Sequence, residues 1–267
     1  MSDRFTSYRN ADRFASRVRQ LQRTWGITED GIIGNQFLTA AEKMTGVVAP
    51  ETIDQTDGIK ISNAAQKLIV KFETGNRDYY NKRLTRPAWP GYSSGVTIGF
   101  GYDLGYHTAG QIRKDWRDQL PAEHIESLVR VAGVTGRDAS RVRSKVSHIE
   151  VPWEVAQKVF NEVTLPRYAA LAVKTFPGME LLRPHAQGAL VSLIFNRGSK
   201  LSGDRRREMK AIKKMVALQD YAGIANEIRK MKRLWKRVNG KSDLHGRRDA
   251  EADMVMNREL TTGVISV

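Results

Sequence analysis

The chain has 267 residues, 40% of them hydrophobic, and carries 44 Lys and Arg against 29 Asp and Glu, a formal net charge of +15. That length and apolar content suffice for an ordinary core, and the positive balance points to a polyanionic partner: nucleic acid, phospholipid, lipopolysaccharide or cell wall. The absence of cysteine excludes disulfides, thiolate metal sites and cysteine nucleophiles.

In chain order, "MSDRFTSYRNADRF" has acidic residues and no apolar stretch, and nowhere do 18 apolar residues run together, so neither a secretory leader nor a membrane span is expected. Phe14, Val18, Leu21 and Trp25 follow at helical spacing. The pattern breaks at Gly26, turns at Asp30-Gly31 and resumes through Ala40 and Met44, which predicts a small helix-loop-helix module over 1–50. Residues 51–60, without amphipathic period, read as a linker, and 61–267 as the main domain. A helix starts at Ser62, with Ser62 or Asn63 as N-cap. Ala65, Leu68, Ile69 and Phe72 repeat along one face until Gly75 stops it, which puts Glu73 in the last turn. Beyond the loop "RPAWPGYSSG", Val96, Ile98 and Phe100 alternate with Thr97, Gly99 and Gly101, the period of a strand. Everything after about residue 110 reads as helix, so the fold class is α+β, mostly α, with a small hairpin set into a helical protein.

The segment "SGVTIGFGYDLG" (94–105) contains four glycines, one carboxylate and no basic residue. Fully extended, Thr97 and Asp103 stand roughly 20 Å apart at about 3.3 Å per residue, too far to act together. Gly99 and Gly101 permit positive φ, so a hairpin turning at 99–101 sets Thr97 across from Asp103, where the two side chains can hold one water. The alternative is an exposed hairpin in which Asp103 is an ordinary turn residue. Glu73, at the negative end of a helix and beside Phe72, is expected to have its ionised form disfavoured, which suits a general acid. Glycosidases use such a pair, one carboxylic acid for the leaving oxygen and one carboxylate for water or the oxocarbenium-like state. A surface Glu closing a helix is the alternative for Glu73.

A Glu ending an N-terminal helix and followed by "GVTIGFGYDLG" resembles the active-site pattern of the phage-lysozyme superfamily, most closely its pesticin-like branch, where the Asp stands six residues after the Thr. In the phage-lysozyme pattern proper the Asp precedes the Thr by six, a position held here by Gly91, so Asp103 is the better second carboxylate. "VPWEVAQKVFNEV" is similar to the helix entering that superfamily's second lobe. "AQGALVSLIFNRG" is similar to its central buried helix, ending in the amide of Asn196. "DLHGRRDAEADM" is similar to its C-terminal Arg-Arg-x-x-Glu helix. The resemblance spans roughly 60–260 and implies a lysozyme-like domain with a hairpin lobe and a helical lobe. It implies Glu73, Asp103 and Thr97 as catalytic residues, and Tyr102, Asn196, Arg247 and Arg248 at the substrate, with one of the two arginines paired to Glu73. A solvated surface charge is the alternative for either arginine.

Residues 17–41 resemble the helical peptidoglycan-binding module, with Val18, Leu21, Gln22, Asp30, Gly31 and Gly34 on its pattern and Asn35 and Gln36 departing from it. A plain helical cap is the alternative. Together the resemblances imply a muramidase that cleaves the β-1,4 bond between N-acetylmuramic acid and N-acetylglucosamine in peptidoglycan. It would work without metal or organic cofactor, as a monomer, held in the host cytoplasm until release to the periplasm in the manner of a phage endolysin. A secretion-system effector or a bacteriocin fragment fits a leaderless chain as well. Inversion is expected if the carboxyl groups stand about 6.5–9.5 Å apart, and retention if nearer about 5 Å.

Other motifs fail on context. "GYSSG" fits G-x-S-x-G but precedes a strand, where a nucleophile elbow needs strand, turn and helix. "GFGYDLG" lacks a βαβ frame for phosphate cradling, and the five histidines lack paired metal spacing. Residues 205–248 hold 15 Lys or Arg and four Asp or Glu. Their aromatics are only Tyr221 and Trp235, too sparse for a nucleic-acid stacking platform, so this face is expected to meet an anionic outer membrane or lipopolysaccharide, or simply to be solvated. The competing functions are a lytic transglycosylase on the same bond and a non-enzymatic basic binding protein for nucleic acid or envelope.

Overall fold

The computed structural model describes residues 15–26, 29, 58–235, 243–259 and 263–267. Most of these are helical. The strands are short and pair antiparallel into two two-stranded sheets, β1 (Lys60–Ser62) with β4 (Val264–Ser266) and β2 (Thr97–Ile98) with β3 (Tyr102–Asp103). The chain divides into two compact units, one made of residues up to Ala65 with Ala169–Val267, the other of Gln66–Tyr168.

Of the N-terminal module, the helix α1 (15–24) is described. Val18 and Gln22, one turn apart, are buried, whereas Leu21 is 41% exposed, so the apolar stripe runs through 18 and 22 and not through 21. Asp30, Gly31, Gly34 and the second helix of the expected module lie outside the described residues.

Strand β1 takes in the last residue of the expected linker. Ile59 accepts a hydrogen bond from the Val267 amide, and the Lys60 amide donates to Gln187, so the linker ends by 58. The strand at 264–266 is a departure from the all-helical expectation for the C-terminal half. It is a three-residue edge without a readable alternation, and its partner lies some 200 positions earlier in the chain. Between the two, α2 (Asn63–Thr74) starts under Ser62, whose hydroxyl accepts from the Ala65 amide at 3.1 Å, so Ser62 is the N-cap. Gly75, at φ +74°, closes the helix and donates to the Lys71 carbonyl.

In the unit Gln66–Tyr168, short helices surround the β2–β3 hairpin: α3 (Arg77–Arg83), α4 (Ala109–Asp115), α5 (Ala122–Val129), α6 (Gly136–Val142) and α7 (Trp153–Val159). Phe100, at the hairpin tip, packs on Trp153 (centroids 4.6 Å), Tyr80 (5.3 Å) and Phe160 (6.0 Å). The Tyr80 hydroxyl satisfies itself on the Val151 carbonyl at 2.9 Å. Past α7 the helix loosens to a π turn over Phe160–Thr164 before α8 (Leu165–Thr175). Pro166 has no amide hydrogen and its ring would crowd the carbonyl of residue 162, and a wider turn relieves both.

The other unit is built on α9 (Pro184–Arg197), whose residues His185 through Ile194 are all buried. A Cβ on Gly188 would lie 2.2 Å from the Ala65 Cβ, so the helix meets the chain near β1 at contact distance. Around α9 stand α10 (Arg207–Ala217), α11 (Tyr221–Lys230) and α12 (Asp243–Met256).

Candidate active site

The hairpin turns where the glycines allow it. Gly99 and Gly101 have φ of +55° and +78°, and Thr97 is paired with Asp103. Thr97 gives both backbone groups to Ala88, as donor at 2.7 Å and acceptor at 3.0 Å, while Leu104 donates to Val96. Thr97 and Asp103 are therefore a non-hydrogen-bonded pair, the kind whose side chains stand closest, on one face of the ribbon. Alternation buries Ile98, Phe100, Tyr102 and Leu104 on the opposite face and leaves Thr97 and Asp103 half-buried.

The Asp103 carboxylate is fixed by backbone amides. Its Oδ1 accepts from Gly95 at 3.0 Å and Gly105 at 2.8 Å, and its Oδ2 from Gly95 at 3.1 Å. A Cβ on Gly95 would fall 2.4 Å from Oδ1, so only glycine lets the backbone close on the carboxylate. Burial pushes the Asp103 carboxyl above its ordinary range, against the opposing pull of the Gly105 and Gly95 amides and of His107.

Tyr102 was expected at the substrate, but the pleat sends it the other way. It is 3% exposed, its hydroxyl donates to Asp115 at 2.6 Å, and its ring stacks on His107 at 4.0 Å. Asp115 also accepts from Arg167 at 2.5 and 2.6 Å. This buried Tyr102–Asp115–Arg167 triad fixes residues 102 and 167, the chain neighbours of Asp103 and Tyr168. Sequence reasoning passed over it. The available signal was Asp115 itself, a carboxylate on the Ile112–Asp115–Trp116 face of a helix that is otherwise apolar, which requires a buried partner.

Glu73 lies half-buried in the last turn of α2. Tyr168, also missed in the sequence, connects it to the hairpin: its hydroxyl is pushed up by burial and then by the negative charges of both Glu73 and Asp103. One phenol thus stands in the field of both carboxylates, within one compact unit. Falloff of the Coulomb interaction with distance makes that a statement of proximity.

The remaining expected residues lie in the other unit. Asn196 is exposed in the last turn of α9. Arg247 and Arg248 are 3% and 0% exposed, so neither is a solvated surface charge. Both donate to Oε1 of Glu251, at 3.1 and 2.9 Å, and Ser192 adds its hydroxyl at 2.6 Å. The Glu of the Arg-Arg-x-x-Glu pattern is thus their common partner.

A family model described as a domain of unknown function (DUF8812) matches residues 67–172, which take in Glu73, Thr97, Asp103 and Tyr168. No curated protein matches the chain. Among the described residues no helix is long and apolar enough to cross a membrane.

Proposed function

We propose that the chain is a bacteriolytic muramidase with a lysozyme-like catalytic domain, hydrolysing the β-1,4 bond between N-acetylmuramic acid and N-acetylglucosamine of peptidoglycan, and used as a cell-wall lysin of the endolysin type. The observation that carries this assignment is the pairing of Thr97 with Asp103 on the open face of the hairpin, with Tyr168 in the field of both Asp103 and Glu73. Two carboxyl groups and a hydroxyl on one side of a small lobe are the minimum set for glycosidic hydrolysis.

In the mechanism, Glu73 gives its proton to the glycosidic oxygen as the bond to the anomeric carbon breaks. Asp103 and Thr97 hold a water, and Asp103 takes its proton as the oxygen attacks that carbon. Holding Asp103 by amides instead of by a guanidinium leaves it the stronger base, and its raised pKa acts in the same direction. Water activation by Asp103 entails inversion at the anomeric carbon. The N-terminal helix and its loop would add affinity for the same polymer.

The test is product analysis of digested, purified peptidoglycan. Hydrolysis yields reducing N-acetylmuramic acid ends, of inverted configuration when trapped early and read by proton NMR. Anhydromuramic ends would assign the chain to the lytic transglycosylases, and no new ends from the wild-type protein would remove the enzyme assignment.

A further inference from the structure

Two guanidiniums meet one aromatic ring in the unit built on α9. The Arg197 Cζ lies 5.2 Å, and the Arg248 Cζ 5.8 Å, from the ring centroid of Trp235. Arg248 is fully buried, yet its Nε and Nη1 have no hydrogen-bond partner, and the buried Nε of Arg197 has none. A buried N–H without an acceptor costs about 1–3 kcal/mol, more when charged. Arg197 reaches across to the Arg205 carbonyl with its Nη2 at 2.5 Å, which draws the Asp204–Arg206 turn against the end of α9. Arg206, half-buried, lies in that turn.

Nearby carboxylates are already engaged. Glu208 accepts from Arg207 at 3.1 Å and Arg233 at 2.5 Å, Asp204 pairs with the same two arginines, and Glu251 is shared by Arg247 and Arg248. Its Oε2 is buried without a partner. What remains around Arg197 is positive. Burial, then the charges of Arg206, Arg248 and Arg205, push its guanidinium down to about 10, with Glu208 opposing. A guanidinium rarely departs from full protonation, so a depression of this kind reports an uncompensated cationic pocket.

We propose that Arg197, Arg206 and Arg248, beside the Trp235 ring, form a binding site for a phosphate monoester, borne on a sugar or lipid or free as inorganic phosphate. A monoester carries about −1.5 to −2 charges near neutral pH and three acceptor oxygens. It offsets more than one excess cation and supplies acceptors to several guanidinium nitrogens at once, where a carboxylate brings one charge. The site lies in a different unit from the hairpin and does not depend on the muramidase assignment.

Calorimetric titration of the full chain with inorganic phosphate and with glucose 1-phosphate, at constant ionic strength, tests it. One saturable site is expected, weakened about tenfold or more in Arg197→Gln and Arg206→Gln, and unchanged in Arg137→Gln, an exposed arginine of the other unit. Glu73→Gln should bind as the wild type does, which separates this site from the catalytic one. Because Arg248 is fully buried, its role is read from melting: phosphate should raise the Tm of the wild-type protein and not that of Arg206→Gln. Tighter binding of glucose 1-phosphate identifies a borne phosphate as the ligand, and tighter binding of inorganic phosphate the free ion. Absence of a saturable site, or equal weakening by Arg137→Gln, overturns the proposal.

Discussion

Asp103 and Glu251 are both carboxylates withdrawn from water, and they are held in opposite ways. Glu251 is 0% exposed and gathers two arginines and a serine hydroxyl on a single oxygen. Asp103 is half-buried, takes only amides of Gly95 and Gly105, and among the described residues forms no ion pair. Paired guanidiniums lock a carboxylate into its charged form and make it a structural fixture. Neutral amides fix the position of Asp103 while leaving its charge and basicity available, which is what a group activating water requires.

The largest effect should come from removing that charge. Asp103→Asn keeps an oxygen where Oδ1 accepts both amides, so the hairpin should persist while peptidoglycan hydrolysis falls by about 10²–10⁴. Turbidity loss of a peptidoglycan suspension, beside a melting curve, checks both parts. Glu251→Gln should do the reverse, since two buried arginines would lose their counter-charge. We expect a destabilisation of about 3–5 kcal/mol by denaturant unfolding, with the residual folded protein still hydrolytic. Gly95→Ala attacks the cradle and not the charge: its Cβ collides with Oδ1 of Asp103 and with the Gly105 amide. Overpacking of this sort costs about 1–3 kcal/mol, and activity should fall with it.

The smallest expected effect is on pH dependence. Burial raises the Asp103 pKa in the folded state, so folding favours its protonated form. The stability it contributes is complete below the ordinary carboxyl range and is lost as pH rises through the folded value. Between about pH 7 and pH 3 the wild-type Tm should therefore gain on that of Asp103→Asn. A gap that stays constant over this range would contradict the burial argument.

The hairpin was legible because its information is local. Alternation, the glycines at 99 and 101 and the six-residue spacing all lie within one segment, and they imply the Thr97–Asp103 pairing without long-range contacts. Tyr102 was misplaced because proximity to Asp103 in sequence was allowed to outweigh the pleat, which sends adjacent residues to opposite faces. Arg247 and Arg248 were recognisable as a pattern, but their common partner Glu251 and the serine of α9 were not. Tyr168 and the Asp115–Arg167 pair depend on helices that only the fold brings to the hairpin. The strand at 264–266 had no signal of its own, since a three-residue edge is defined by its partner.

The most direct measurement is the rate of reducing-end release from purified peptidoglycan by the wild-type protein, Glu73→Gln and Asp103→Asn, each shown folded by its melting curve. Two carboxyl groups acting together predict that both variants lose about two orders of magnitude or more. An Asp103→Asn protein as active as the wild type would contradict the assignment of water activation to the hairpin.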